Sequence, residues 1–180
     1  IAVAAGVKSI EHGFLMRRET MQLMRENDVW LSVQPLLDDE DGFSFDDPVS
    51  QQKWIDVTNG TDFTYKTAKE VGVKVAFGTD ILFDPKLAER QGAFLAKLQR
   101  WYSPYEVLKM ATSTNAELLK LSGPRHPYQQ GDLGVIAAGA YADLILVDGN
   151  PLQDIDLIAD PHENFDLIMK DGKIYKNTLD

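Results

Sequence analysis

The N-terminal part of the chain repeats one pattern, in which a short apolar run is followed by a longer segment of helical periodicity. The apolar runs predict strands at Val7–His12, Val29–Val33 and Val73–Asp80. Strands that alternate with helices are typical of α/β folds with a parallel sheet. The pattern therefore predicts three βα units in series.

The run Val73–Asp80 ends abruptly on glycine, threonine and a carboxylate. Strand alternation places Ala76, Gly78 and Asp80 on one face, so small residues leave room beside the carboxylate. The carboxyl ends of parallel strands are where α/β folds place their chemistry. Taken alone, the strand equally allows an Asp80 that caps the next helix or pairs with an arginine.

The run Val7–His12 ends in a similar way, on Glu11 and His12, and Gly13 follows it. Alternation places His12 on one face and Glu11 on the other. A lone histidine is more often a satisfied core or loop residue than a ligand. The functional interpretation of His12 therefore depends on its pairing with Asp80.

Several signals mark where helices begin and end. The segment Gln51–Val71 is predicted as two helices, because Asn59 and Gly60 interrupt the pattern and Thr61 can cap the second. Residues 103–106 combine a cap serine, a proline at the first helical position and a glutamate at the third. Residues 114–117 repeat this capping box.

The character of the chain changes beyond Gly123, where short strands separated by turns are predicted. They cover Gly131–Ile136, Ala142–Val147 and two runs within Asn164–Lys176 joined by a two-residue hairpin at 171–172. So few strands cannot form a sandwich alone, so partner strands are expected from elsewhere.

Polar residues in the connecting loops have ordinary explanations. His126 and His162 each lie beside a proline in the C-terminal part and are interpreted as surface residues. The acidic run Asp38–Gly42 predicts a solvated loop, although its position after a strand also permits an active-site lid.

Composition excludes several classes of function. The chain has 180 residues, 44% hydrophobic and 26% charged, as in a globular protein. A net charge of −10 without a basic cluster argues against nucleic acid. No apolar run reaches the length of a membrane span. The absence of cysteine excludes disulfides and thiolate sites without identifying a compartment.

The chain opens without methionine, in what resembles the last turn of a helix ended by Gly6. We expect from this that earlier elements, together with any signal peptide, precede Ile1 in the parent protein.

Five short motifs, in this order, resemble the C-terminal half of a metal-dependent amidohydrolase, nearest to the imidazolonepropionase-like and Xaa-Pro dipeptidase-like branch. They are Ser9–Gly13, Phe77–Asp80, residues 111–119, Gly134–Ile136 and Gly139–Leu144. Their order and spacing cover nearly the whole chain.

The resemblance implies an α/β fold: the C-terminal part of a (β/α)8 TIM-type barrel plus the C-terminal strands of a small β-sandwich. Residues 9–12 would be barrel strand six, 29–33 strand seven and 73–80 strand eight. Residues 1–122 would then hold the last three βα units, and residues 123–180 the sandwich segment.

The resemblance also implies the chemistry. His12 matches the family's sixth-strand metal ligand, and Asp80 matches the aspartate that binds metal and handles the proton of the attacking water. The cofactor would be one or two divalent ions, usually zinc, and the substrate a small amide, a cyclic amide or a dipeptide. The family's first-strand His-x-His pair, bridging ligand and fifth-strand histidine have no match here, so metal binding by this segment alone is expected to be weak.

Two alternatives remain open. A metal-independent barrel could use Asp80 in other chemistry, or the segment could be a catalytically incomplete module for binding or assembly. In either case the open strands need partners, either from an N-terminal part of the same chain or from a second copy in a homo-oligomer.

Overall fold

A computed structural model describes residues 1–82 and 84–179. By their contacts, the residues form two compact units, Ile1–Ile81 and Leu82–Asp180. The domain boundary predicted between residues 122 and 123 stays a prediction. Within the described ranges, no helix has both the length and the apolar character needed to cross a bilayer.

The first unit contains a three-stranded parallel sheet. Its strands are β1 (Ser9–Glu11), β2 (Trp30–Val33) and β3 (Val75–Phe77), in the order β1-β2-β3. Ile10 lies opposite Leu31 in the ladder between β1 and β2. The α/β order and the parallel sheet predicted from the sequence are therefore confirmed, with shorter strands than the apolar runs suggested.

Two helices connect these strands, α1 (Arg18–Glu26) and α2 (Pro48–Val71). Asp47 caps α2, and the Ser50 hydroxyl and backbone N–H that bond to its carboxylate hold the pKa of Asp47 below its ordinary value. Fully buried side chains from both helices and from β2 form the core of this unit. They include Met21, Met24, Leu31, Val33 and Tyr65.

The prediction that Asn59 and Gly60 divide α2 is wrong, because the helix runs unbroken through both residues. A Cβ added to Gly60 would lie 2.3 Å from the carbonyl oxygen of Phe14. The glycine therefore permits a close approach of the helix to the segment after β1. This contact outweighs the roughly 1 kcal/mol by which glycine disfavours a helix interior.

The second unit begins with helices and turns. Its helices are α3 (Pro85–Ala88), α4 (Gln91–Ala96), α5 (Pro104–Lys109), α6 (Asn115–Lys120) and α7 (Pro161–Asn164), together with 3-10 turns at Lys97–Arg100, Gly123–Arg125 and Ile155–Ile158. The capping box of Ser103 and Glu106 forms as predicted. The second predicted box is wrong, because Thr114 has helical angles and makes no side-chain cap. A π-helical turn over Met110–Thr114 joins α5 to α6.

The second unit ends in a three-stranded antiparallel sheet, β4 (Leu144–Val147), β5 (Phe165–Lys170) and β6 (Lys173–Asn177). The predicted hairpin is confirmed: Asp171 and Gly172 both have positive φ, 50° and 73°. Positive φ at both central residues is typical of a type I′ turn.

The strand predicted at Gly131–Ile136 is not formed. The backbone N–H of Tyr141 bonds to the carbonyl of Asp132 at 2.9 Å, within a local loop. A Cβ on Gly131 would lie 2.5 Å from the carbonyl oxygen of Gly139. The glycines thus fold this segment against the chain that follows it, instead of extending it as a strand.

His126 is a further correction, because it is only 7% exposed. Its ring packs edge-on against Tyr128 at 5.6 Å, and the side-chain amide of Gln129 donates to its carbonyl oxygen. His162 is exposed, as predicted.

We expect the polypeptide 1–180, expressed by itself, to associate or aggregate. In the described residues, β1 and β3 each have one unpaired edge, and Leu15 and Tyr175 are 71% and 63% exposed. Each backbone group buried without a partner costs about 1–3 kcal/mol, so these edges favour pairing with another chain. Sedimentation velocity at several concentrations measures this directly, and a monomer at every concentration would contradict it.

Candidate active site

His12 and Asp80 lie at the same edge of the parallel sheet. His12 is the first residue after β1, and Asp80 follows the end of β3. Their side chains converge in front of β2, with 3.8 Å between His12 Nε2 and Asp80 Oδ2. The structure therefore brings together the two residues that the sequence singled out.

Two hydrogen bonds hold His12, one to the middle strand β2 and one to the residue that follows it. The backbone N–H of His12 donates to the carbonyl of Ser32 at 2.7 Å. On the ring, Nδ1 lies 2.9 Å from Oε1 of Gln34, the residue that follows β2. The ring also stacks near Phe14, with 6.4 Å between the ring centroids. One edge of the imidazole is thus fixed, and the other faces Asp80.

Strand alternation is not what orients the two side chains, because both residues lie beyond the strands. His12 has φ of 69° and Asp80 has φ of 55°. The other described non-glycine residues with positive φ are Asp28 and Asp171, both in turns. A residue held in this region costs about 1–3 kcal/mol, and such strain is concentrated at functional sites. The sequence pattern offered no sign of it.

The site is open to solvent. The side chains of His12 and Asp80 are 54% and 51% exposed. A Cβ added to Gly78 would meet no described atom within 4 Å. The run that leads to Asp80 therefore has open space at Gly78 within the described residues.

The donor atoms fit a divalent metal in part. Zinc binds histidine nitrogen and carboxylate oxygen at about 2.0–2.2 Å. Two donors 3.8 Å apart are close enough for one ion to contact both. Among residues 1–82 and 84–179, however, no three His, Asp or Glu side chains cluster closely enough to hold a metal. Catalytic zinc normally has about three protein ligands. The described part of the chain offers two of them.

Helix α2 supports the segments that carry this site. Three of its hydroxyl groups donate to carbonyl oxygens, one in the segment that follows β1, one at the end of β2 and one in the segment that follows β2. The bonds run from Thr61 to Leu36 (2.7 Å), from Thr64 to Phe14 (3.1 Å) and from Tyr65 to Val33 (2.9 Å). The sequence does not indicate this role of the three residues, because the acceptors of their hydroxyl groups are at least 25 positions away in the chain.

Gly60→Ala is expected to destabilise the first unit by about 1–3 kcal/mol, because the new methyl group would overlap the Phe14 carbonyl. Gly78→Ala is the matched control, since its methyl group would enter open space. Thermal or denaturant unfolding of both variants measures the difference. Equal stability of the two would contradict this account of α2.

The acidic loop after β2 is ordered. The backbone N–H groups of Asp41 and Gly42 bond to Asp39, and Asp41 is only 6% exposed. Phe43 packs edge-on against Trp54 of α2, with 5.1 Å between the ring centroids. The loop is therefore anchored on α2 and is more than a solvated acidic stretch.

A family model for the amidohydrolase family matches residues 1–176. The chain belongs to the amidohydrolase family. The resemblance identified from the motifs is thereby confirmed, and the α/β fold of this amidohydrolase is shared with solved structures of related proteins.

Three relatives show which members of the family this amidohydrolase resembles. The ochratoxinase of Aspergillus niger is 29% identical over 179 residues, which cover 97% of this chain and 35% of the relative. A prolidase complexed with N-methylphosphonate-L-proline is 30% identical, with a TM-score of 0.83, over 98% of this chain and 42% of its own. A Xaa-Pro dipeptidase with methionine bound in its active site is 31% identical, with a TM-score of 0.78, over 98% and 41%. The chain thus spans less than half the length of each.

Proposed function

We propose that the protein is a metal-dependent hydrolase of carbon–nitrogen bonds, in which His12 and Asp80 bind the metal and Asp80 transfers the proton. The observation that carries the proposal is the distance of 3.8 Å between His12 Nε2 and Asp80 Oδ2 in a chain of the amidohydrolase family. A nitrogen and an oxygen donor that face each other across an open site form a suitable pair for a cation.

In this proposal, β1, β2 and β3 are the sixth, seventh and eighth strands of a (β/α)8 barrel. Their parallel order β1-β2-β3 supports this numbering. Residues 1–122 would contribute to the barrel, and residues 123–180 to a small β-sandwich. The remaining strands and metal ligands would come from residues outside this sequence.

The proposed cofactor is a divalent metal, most simply zinc, as one or two ions. When bound, it would lower the pKa of water to about 7 and polarise the scissile carbonyl. His12 and Asp80 are the residues of this chain that would hold it. With two ligands, the described segment by itself would bind the ion weakly.

Asp80 is proposed to act as general base and then as general acid. Its carboxylate accepts a proton as water attacks the carbonyl carbon and the new carbon–oxygen bond forms. It then donates that proton to the leaving nitrogen as the carbon–nitrogen bond breaks. The products are a carboxylic acid and an amine. Because the Asp80 side chain is half exposed, it is accessible to both partners.

The proposed substrate is a small amide, a cyclic amide or a dipeptide. A relative named as a Xaa-Pro dipeptidase and a prolidase complexed with N-methylphosphonate-L-proline favour a bond to the nitrogen of proline. A dipeptide that ends in proline is therefore the first substrate to test.

A second candidate is a catalytically incomplete module, in which His12 and Asp80 form only an ion pair. The observation that favours it is that no third ligand joins the pair within the described part of the chain. The exposed strand edges would then serve assembly with other chains.

The test uses protein expressed from its complete reading frame. Metal content is measured, and hydrolysis of alanyl-proline is followed before and after removal of metal by a chelator. We expect activity that is lost with the metal and restored by zinc. Hydrolysis that persists without bound metal would refute the metal-dependent reaction, and complete inactivity on amides and dipeptides would favour the second candidate.

A further inference from the structure

We infer that Gln34 is a positioning residue that holds the imidazole proton of His12 on Nδ1 and thereby turns the unprotonated Nε2 toward Asp80. The inference deepens the proposed function, on which its catalytic meaning rests. Its structural content, the tautomer of His12, is testable without any metal.

The geometry of the ring carries the inference. Oε1 of Gln34 has no proton to give, so its contact with Nδ1 at 2.9 Å is a hydrogen bond only if Nδ1 is the donor. A neutral imidazole carries one ring proton, which leaves Nε2 with a free lone pair. On the opposite side, 3.8 Å between Nε2 and Asp80 Oδ2 exceeds the range of a direct hydrogen bond.

The environment of Gln34 explains why it controls the tautomer. Gln34 is only 4% exposed, whereas the His12 side chain is 54% exposed. A half-exposed histidine without an anchor would sample both tautomers in water. Gln34 follows directly after β2 and precedes the buried Pro35, and its carbonyl accepts the backbone N–H of Leu36 at 2.9 Å. A buried partner thus selects the tautomer of a half-exposed ring.

The consequence concerns metal binding. A histidine ligand binds metal through an unprotonated nitrogen, and the hydrogen bond on its other nitrogen orients the ring. Loss of such a partner typically weakens metal binding by about 10–100-fold. If the Gln34 amide were turned so that its NH₂ group faced Nδ1, the ring proton would move to Nε2 and block that atom. The tautomer of His12 therefore decides between the two orientations.

The experiment uses protein from the complete reading frame, labelled with ¹⁵N-histidine and stripped of metal. Protonated and unprotonated ring nitrogens have well-separated ¹⁵N shifts, and His12→Asn identifies the His12 signals. At one fixed pH with neutral rings, we expect Nδ1 to be protonated in the wild type. Gln34→Leu should shift His12 toward the Nε2–H tautomer and raise the zinc dissociation constant about 10–100-fold. Gln34→Glu should keep the wild-type tautomer, because both of its oxygens accept.

A wild-type His12 with its proton on Nε2, or a Gln34→Leu variant with an unchanged tautomer, would overturn the inference. If Gln34→Leu fails to fold, the Gln34→Glu variant provides the test. A carboxylate at position 34 accepts the proton of Nδ1, so the His12 signals of this variant must match those of the wild type. A mismatch would overturn the inference. A wild type that binds no zinc would refute the proposed function, while the tautomer measurement would still test the role of Gln34.

Discussion

Asp80→Asn is expected to reduce turnover by about 10²–10⁴-fold, the range that a positioned acid–base group contributes, and to leave most of the metal bound. Asparagine keeps the size of the side chain and one oxygen ligand, but it cannot accept the proton of the attacking water. Asparagine also tolerates the positive φ of 55° at this position. Steady-state hydrolysis and metal analysis of the same preparation measure both effects.

Asp28→Asn is a matched control for this variant. Asp28 has a positive φ of 52° and an exposed carboxylate, but it pairs with Lys74 in the turn after α1. We expect Asp28→Asn to retain wild-type turnover. An equal loss in both variants would mean that the backbone conformation, and not the proton transfer, is responsible.

His12→Ala is expected to act on the metal first. Removal of the ligand itself should weaken zinc binding by more than the roughly 10–100-fold that follows loss of a ligand's hydrogen-bond partner. Activity should fall together with metal occupancy and recover in part at high zinc concentration. Metal content after dialysis against a defined zinc buffer gives the result, with the exposed His162→Ala as control.

The two variants distinguish the two roles. Asp80→Asn should lower turnover more than metal content, whereas His12→Ala should lower metal content itself. If both variants keep near-normal hydrolysis in an assay with defined metal, the assignment of His12 and Asp80 is wrong.

The meeting of His12 and Asp80 could be predicted because parallel strands in series place their carboxyl ends at one edge of a sheet. The backbone conformation that brings the two side chains together could not be predicted from the sequence. Both residues have positive φ, and the His12 backbone N–H bonds to Ser32 across the sheet, features that no local sequence signal indicates. The alternation of side chains along an extended strand predicted that His12 and Asp80 lie close together. The prediction is correct, but alternation is not the cause, because both residues lie beyond the strands.

The wrong predictions each rest on a local sequence signal that does not hold in the folded chain, and the physical reason differs from one to the next. Gly60 was interpreted as a helix break, yet it allows α2 to approach Phe14. Thr114 was interpreted as a cap, yet the helix continues through it by a π-helical turn. The loop position of His126 beside Pro127 predicts a surface residue, yet the residue is buried and its ring packs against Tyr128.

The central claim is that one metal ion joins His12 and Asp80. Anomalous X-ray diffraction at the zinc absorption edge, from crystals of the protein expressed from its complete reading frame and grown with zinc, tests it directly. The account predicts an anomalous peak within coordinating distance, about 2.0–2.2 Å, of both His12 Nε2 and Asp80. A zinc-loaded crystal with no peak between them, in which His12 and Asp80 instead form a direct hydrogen bond, would contradict it.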